Sequence, residues 1–180
     1  MTTLRGPRIV LRPTTAEDVP RLLEILREPS VAQHWSSPDD ERDGASLLGG
    51  DAPGDAERVT TFVITLAGET IGWIQAWEKL DRDYRHAGVD LFLATAHQGK
   101  GYGPEAIRLV CRWLFDERGH HRIVIDPAAR NERAIHAYEK VGFRRVGVMR
   151  RYERGADGEY HDNVLMDLLR EDLVDFSAPR

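Results

Sequence analysis

Cysteine is almost absent from this 180-residue sequence, in which Cys111 is the single example. A lone cysteine excludes an internal disulfide and is typical of a protein kept in a reducing compartment. Apolar runs are short, and none approaches the length that a membrane-spanning helix requires. The first residues lead straight into a strand-like segment without the apolar stretch of a secretory signal. We therefore expect a cytoplasmic protein.

Positive charge is in deficit, because 25 Lys and Arg face 30 Asp and Glu and leave a net charge of −5. This balance argues against nucleic acid and membranes as partners and favours a small cationic molecule. Much of the acid is local, since seven carboxylates stand against one arginine between Pro38 and Glu57. The segment fits a solvated loop or, alternatively, a flexible acidic rim over a cation site. Its acids are Asp39, Asp40, Glu41, Asp43, Asp51, Asp55 and Glu57.

The mix of 41% apolar and 31% charged residues is that of an ordinary globular protein, and the length indicates one domain over 1–180. Alternation of apolar residues predicts strands over 8–13, 60–66, 70–77, 88–93, 122–125, 146–152 and 160–168. Helical spacing predicts helices over 19–26, 107–115 and 132–141, with a short one near 45–48. Three consecutive strands between 60 and 93 favour an antiparallel meander over repeated βαβ units.

A glycine-rich loop separates the strand that ends at Leu93 from the next helix, and it reads His97-Gln98-Gly99-Lys100-Gly101-Tyr102-Gly103-Pro104-Glu105. Glycines at alternate positions allow backbone N–H groups to converge on an anion. Pro104 suits the first helical position, and Glu105 places a favourable charge in the first turn. A strand, a glycine loop and a helix start pointing at one spot predict a pyrophosphate site.

Two nucleotide-binding motifs do not fit this loop. The dinucleotide fingerprint requires G-x-G-x-x-G, whereas these glycines run G-x-G-x-G. The ATP-binding loop requires Lys-Ser or Lys-Thr after its last glycine, where this chain has Pro104-Glu105. A glycine-rich turn without a ligand stays open as the structural alternative.

Two further features suggest chemistry, and both have a simpler interpretation. Cys111 lies on the apolar face of the 107–115 helix and is predicted to be a core residue rather than a nucleophile. His120 and His121 form an adjacent pair without an evident third ligand, so we expect a solvated turn and no metal.

Two spaced motifs resemble those of the GNAT superfamily of N-acetyltransferases. The loop Gln98-Gly99-Lys100-Gly101-Tyr102-Gly103 matches the family pattern Q/R-x-x-G-x-G/A. A later block matches the second family motif and reads Asp126-Pro127-x-x-x-Asn131-x-x-Ala134-Ile135-x-x-Tyr138-x-x-x-Gly142-Phe143. The similarity is strong from about Thr70 to Leu169, and residues 1–59 match in outline alone.

The resemblance implies an α+β fold with a mostly antiparallel sheet of about seven strands and about four helices. The sheet would splay between its fourth and fifth strands and hold acetyl-CoA in the opening. Pantetheine would lie along the strand 88–93 and pyrophosphate on the glycine loop. The implied cofactor-binding residues are Leu91, Phe92, Leu93, Gln98, Gly99, Lys100, Gly101, Tyr102, Gly103, Asn131, Ala134 and Tyr138.

Two branches of the family compete for the acceptor. Ile71-Gly72-Trp73-Ile74-Gln75, Gly88 to Leu93, Ile125-Asp126-Pro127 and the Asn131 block resemble the aminoglycoside 6′-N-acetyltransferases. The ending, Asp157 to Asp162 and Leu168 to Glu171, resembles the ribosomal-protein N-terminal acetyltransferases. The drug-modifying branch often has paired tryptophans where this chain has His34-Trp35.

Acetyl transfer to an amine requires a neutral amine, a polarised carbonyl and a proton for the departing thiolate. We expect Asp90 and Asp126, on or at the end of apolar strands, to hold acceptor ammonium groups or to act as the base. Capping of a turn or pairing with arginine is the structural alternative for both. The resemblance implies that Tyr138 protonates the thiolate, and packing of its helix face is the structural alternative.

The acceptor pocket is expected to contain Trp35, Gln75, Trp77 and Tyr84 besides the two aspartates, with aromatic faces under sugar rings or ammonium groups. The favoured function is acetylation of an aminoglycoside 6′-amine, as in antibiotic resistance. The alternatives are acetylation of a protein N-terminus or lysine, and a non-catalytic acyl-CoA-binding domain. Either a monomer or a homodimer is compatible with the sequence.

Overall fold

The computed structural model describes residues 2–35, 40–51, 57–155 and 157–176. The predicted acidic rim between Pro38 and Glu57 lies partly outside these residues, at 38–39 and 52–56. Within them, no helix combines the length and apolarity needed to cross a membrane.

The described residues form nine strands and five α-helices. The strands are β1 (Leu4–Arg5), β2 (Val10–Pro13), β3 (Gly50–Asp51), β4 (Glu57–Leu66), β5 (Glu69–Lys79), β6 (His86–Leu93), β7 (Arg122–Ile125), β8 (Arg144–Arg154) and β9 (Tyr160–Leu169). The helices are α1 (Val19–Leu26), α2 (Pro29–Ala32), α3 (Asp40–Leu47), α4 (Tyr102–Asp116) and α5 (Glu132–Glu139).

The strands form one sheet in the order β1-β2-β4-β5-β6-β7-β9-β8, with β3 beside β4. Every pairing is antiparallel except that of β6 with β7. The predicted α+β class and the β4-β5-β6 meander are confirmed. The strand number exceeds the expected seven because β1 and β3 are two-residue additions, and α2, a single turn begun by Pro29, raises the helix number to five.

Different helices pack on the two faces of the sheet. Alternate residues of β4, β5 and β6 pack with α4 in the larger core cluster, in which Ile107, Val110 and Leu114 are fully buried. The opposite face packs against α1, α2 and α3, and here Trp73 stacks on Phe92 with ring centroids 5.5 Å apart.

The parallel pairing of β6 with β7 is short. It joins Ala87 to Ile123 and Gly88 to Val124, and the two strands then part. From Val89 to Leu93, β6 pairs with β5 on one side, and no described strand pairs with it on the other. The predicted splay of the sheet is confirmed at this point, and it leaves a row of backbone hydrogen-bonding groups along the opening.

Helix α4 begins earlier than the sequence indicated. It starts at Tyr102, so Pro104 occupies the third helical position rather than the first. Gly101 adopts the left-handed conformation (φ 84°) at the N-cap, and its carbonyl accepts the N–H of Glu105 at 3.2 Å. The first helical N–H groups have no partner within the helix, so proline at the third position removes no intrahelical bond.

Candidate active site

The glycine loop (Gln98–Gly103) lies at the end of β6, directly before α4. Gly99 and Gly101 have positive φ angles of 72° and 84°, and an added side chain at Gly99 would meet nothing within 4 Å. The loop therefore presents bare backbone to the exterior at the start of a fifteen-residue helix. That combination of N–H groups and helix dipole suits a phosphate group.

The loop is held from both sides by side chains distant in sequence. Gln98 donates through Nε2 to the Leu93 carbonyl at 2.9 Å and to Ser30 Oγ at 3.1 Å. Its Oε1 accepts a hydrogen bond from Arg133 at 2.8 Å. The side chain of Gln98 thus joins the loop to α2 and α5. Because its amide is occupied by these contacts, Gln98 would contact a ligand through its backbone.

Arg8, which the sequence interpretation missed, anchors the other side of the loop. Its guanidinium donates to the Lys100 carbonyl at 2.9 Å, pairs with Glu105 at 2.7 Å and lies 4.8 Å from the centre of the Tyr102 ring. The Glu105 carboxylate is buried and accepts the backbone N–H groups of Arg8 and Ile9. Glu105 is therefore a structural anchor as well as a first-turn acid.

The predicted cofactor residues of β6 divide between the two faces. Leu91 and Leu93 touch Gly103 on the α4 side, each with Cδ1 3.6 Å from the position of an added Cβ. Phe92 points the other way and packs against Trp73 and Trp35. Contact between Phe92 and a ligand in the opening is accordingly restricted to its backbone.

A cleft of about 410 Å³ lies beside Gln98, between α2 and the start of α5. Asn131 caps α5 by accepting the Ala134 N–H at 3.2 Å, as its position predicted. The lining includes two guanidinium groups and the hydroxyl that Gln98 also binds, and consists of Ser30, Gln33, His34, Arg130, Asn131, Glu132 and Arg133.

Asp90 and Asp126 lie on the face of the sheet opposite α4, at the open end of the splay. Gln75 donates to Asp90 at 2.8 Å. Burial raises the pKa of Asp90, against a hydrogen bond from Gln75 that lowers it. Burial also raises the pKa of Asp126, to about 6, with a further contribution from the charge of Asp90. The charge of Asp90 thus adds to the burial effect at Asp126.

Glu153 completes this group of acids and was missed in the sequence, where it stands among five arginines of β8. Asn163 links it to Asp126, since the buried amide donates to the Asp126 carbonyl at 2.7 Å and to Glu153 at 3.0 Å. The negative charge of Glu153 raises the pKa of both aspartates. Within the described residues, no Lys, Arg or His lies within ion-pair distance of the three carboxylates, so pairing with arginine does not account for them.

Tyr138 approaches the same acids from α5, which lies on the other face of the sheet. Its ring packs against Phe143 with centroids 6.3 Å apart. Burial and the charges of Asp90 and Asp126 raise the pKa of Tyr138 above its usual value of 10. The phenol consequently keeps its proton near neutral pH, which is the state that a general acid requires.

The predicted acceptor residues are brought together with one exception. The indole of Trp77 lies over Gly88 of β6, where an added Cβ would come within 2.1 Å of it. A hydrogen bond from Trp77 lowers the pKa of Asp90. Trp35 lines a small cavity together with Glu153. Tyr84 is 72% exposed in the turn between β5 and β6. Asp90 is the fifth residue of β6, about 13 Å along the strand from its start beside that turn. The structure does not join Tyr84 to the others.

Two structural expectations can now be decided. Cys111 is fully buried, and burial raises the pKa of its thiol, which confirms a core residue. The expectation of a solvated histidine pair is wrong for His120, which is buried with Nε2 2.8 Å from the buried carboxylate of Glu78. The alternation of apolar residues gave no signal for this pair because the pattern closed the strand at Trp77, whereas β5 continues through Glu78 to Lys79. No metal-binding group of three or more His, Cys, Asp or Glu occurs in the described residues.

Comparison with known families identifies the fold and its chemistry. Residues 8–144 match the family described as "Acetyltransferase (GNAT) domain". The chain belongs to the GNAT family of acetyltransferases. The predicted enzyme class, an acetyl-CoA-dependent N-acetyltransferase, is thereby confirmed.

Two curated relatives act on cationic amines, according to their names. The chain is 31% identical over 153 residues to the aminoglycoside N(6′)-acetyltransferase type 1 of Klebsiella pneumoniae, which covers 78% of this chain and 76% of the relative. It is 26% identical over 168 residues to the spermidine N(1)-acetyltransferase of Escherichia coli strain K12, with 92% and 88% covered.

Solved structures agree with this placement in the GNAT family. Aminoglycoside acetyltransferase AAC(6′)-Ib in complex with coenzyme A and kanamycin matches with a TM-score of 0.72 and 29% identity, covering 91% of this chain and 96% of that one. The ribosomal-protein-S5-alanine acetyltransferase from Vibrio fischeri has a TM-score of 0.75 at 16% identity, covering 97% and 100%. The second match shows a shared fold alone.

The raised pKa of Asp126 predicts a pH-dependent stability. Because the folded pKa of about 6 exceeds the ordinary 3.8, the folded state holds the proton more tightly between these values. The resulting stabilisation is present below pH 4 and is lost as the pH rises through 6. At about 1.4 kcal/mol per pKa unit, the free energy of unfolding should fall by up to about 3 kcal/mol across this window.

Urea unfolding of the wild type and of Asp126→Asn at pH 4 to 8 measures this effect. The variant should lose the part of the decline that Asp126 contributes and should be the more stable protein at pH 7.5. Glu24→Gln, which removes an exposed carboxylate, should keep the wild-type profile. Parallel profiles for the wild type and Asp126→Asn would contradict the assignment.

Proposed function

We propose that this enzyme transfers the acetyl group of acetyl-CoA directly to a primary amine of a polycationic acceptor, and that the acceptor is the 6′-amine of an aminoglycoside. One observation carries the proposal: three carboxylates without a cationic partner in the described structure converge at the open end of the splayed sheet. Carboxylates in such a place are costly unless a ligand supplies the opposite charge. Ammonium groups of the acceptor would do so.

The donor would occupy the opening between β6 and β7. Pyrophosphate would bind the backbone of Gln98–Gly103, and the pantetheine amides would pair with the free edge of β6 at Leu91–Leu93. Asn131 and Arg133 line the cleft beside Gln98, and Ala134 donates its N–H to Asn131. The AAC(6′)-Ib relative, whose structure holds coenzyme A, supports coenzyme A as the carrier of the acetyl group.

The reaction needs no covalent enzyme intermediate. The neutral amine attacks the thioester carbonyl carbon, a C–N bond forms, and the C–S bond breaks to release coenzyme A thiolate. Tyr138 gives its phenolic proton to the sulfur, and Asp90 or Asp126, directly or through water, takes the proton that the amine loses. Asp126 is ionised at neutral pH, because its pKa is about 6, and can therefore hold an ammonium group or accept a proton.

The relatives support an acceptor with several positive charges. The names of two of them specify an aminoglycoside and spermidine, both polycations. The aromatic rings of Trp35 and Trp77 beside the carboxylates favour a ring-shaped acceptor over a linear polyamine, since sugar rings and ammonium groups pack on aromatic faces.

Release of coenzyme A from acetyl-CoA in the presence of single amines tests the acceptor. Turnover should occur with kanamycin and should be lost with an aminoglycoside that carries a hydroxyl group at the 6′ position. Spermidine and basic N-terminal peptides serve as the competing acceptors. Turnover of spermidine or peptides in preference to kanamycin would refute the aminoglycoside assignment.

Replacement of Asp126 by Asn should separate acceptor binding from donor binding. The loss of a charge-assisted contact predicts a 10-fold to 100-fold decrease in kcat/KM for the amine. The Kd for acetyl-CoA, measured by calorimetry, should change by less than about threefold. Equal losses in both quantities would assign Asp126 to general structure, and Glu24→Gln is the control for loss of charge.

Replacement of Tyr138 by Phe keeps the ring that packs on Phe143 and removes the acidic proton. We expect kcat to fall by about 100-fold, as for loss of a general acid, with little change in either KM. Rates measured from pH 6 to 9 provide the comparison. An unchanged kcat over this range would exclude the acid role.

A further inference from the structure

The pairing of β8 with β9 is interrupted beside the proposed acceptor site. Met149 pairs with Asn163 and Glu153 pairs with His161, so three residues of β8 face the single residue Asp162 of β9. We call this interruption the β8 bulge (Arg150–Tyr152). Bulges of this kind bend a strand and redirect its side chains.

Arg151 adopts a left-handed backbone conformation (φ 50°) within this bulge. The conformation costs a residue with a side chain about 1–2 kcal/mol. Ala67 is the other described non-glycine residue with a positive φ, and it lies in the two-residue turn between β4 and β5, where such angles are usual. The Asp162 carboxylate accepts the Arg151 N–H at 2.8 Å and stabilises the unusual geometry.

The bulge decides which residue faces the aspartates. With regular pairing from Met149 onward, Arg151 would stand opposite His161, and the two extra residues give that position to Glu153 instead. The shift is even, so the position keeps its face of the sheet. The bulge therefore replaces a cationic side chain by an anionic one next to Asn163 and Asp126.

Tyr152 is redirected with Glu153. Its ring is 55% exposed. Tyr152 directly precedes Glu153, which Asn163 joins to Asp126. The charge of Asp126, burial, and the charges of Asp90 and Glu153 raise the pKa of its hydroxyl. An exposed aromatic ring next to such a carboxylate is suited to a ligand that is both cationic and ring-shaped.

We infer that the β8 bulge is a positioning device that builds an acceptor subsite from Tyr152 and Glu153, the tyrosine supplying an aromatic face and the glutamate a charge for an ammonium group. This inference rests on the proposed function and specifies two further acceptor-binding residues. The role of Arg151 lies in its backbone conformation and not in its side chain.

Steady-state kinetics of four variants with acetyl-CoA and kanamycin test the subsite. Arg151→Val introduces a β-branched residue that cannot hold a positive φ, so the acceptor KM should rise about tenfold while the KM for acetyl-CoA stays within twofold. Arg151→Gly removes the same charge but suits the bulge, and should restore an acceptor KM close to that of the wild type. Arg150→Val, at a neighbouring residue with negative φ, controls for the lost charge and the new side chain.

Tyr152→Leu is the fourth variant and keeps the test decisive if Arg151→Val does not fold. Its acceptor KM should rise threefold to fivefold without a change in the acetyl-CoA KM. Equal acceptor KM values for Arg151→Val and Arg151→Gly, or a wild-type value for Tyr152→Leu, would overturn the subsite while the wild-type turnover upheld the proposed function. A wild type that acetylates none of the amines would instead refute the proposed function together with the subsite.

Discussion

The early parting of β6 and β7 is the constraint on which the active site depends. Two residue pairs join the strands, and Asp90 and Asp126 follow directly where the strands part. The opening leaves one edge of β6 without a partner strand, with Tyr138 on one face of the sheet and the acids on the other. A sheet that continued to pair past Gly88 would close all of these positions.

The acids of this site are retained at a cost to folding. Asp90 and Asp126 are partly buried, the charge of Asp90 raises the pKa of Asp126, and the charge of Glu153 raises the pKa of both. Asn163 relieves part of the cost by hydrogen bonding to the Asp126 carbonyl and to Glu153. Two partly buried aspartates without a cationic partner in the described structure do not favour stability, and this cost is consistent with the acceptor-binding role proposed for them.

Local patterns predicted the strands and the glycine loop well, because alternation and glycine spacing act over a few residues. The α4 boundary was misplaced by proline preference, which the left-handed Gly101 overrides. Glu153 and Tyr152 could not be found in this way, since their position depends on a bulge whose geometry is set by Asp162 on the next strand. The burial of His120 likewise depends on Glu78, which lies 42 residues away in the sequence.

The contacts of Arg8 show that the glycine loop depends on a distant part of the chain. Arg8 reaches the Lys100 carbonyl and the Glu105 carboxylate across 92 and 97 positions of the chain. A fragment made of the strand, the loop and the helix would carry the whole recognisable motif and still lack its clamp. The motif is thus not a portable module: transplanted into another scaffold, it would need a substitute for a guanidinium that no local pattern reveals.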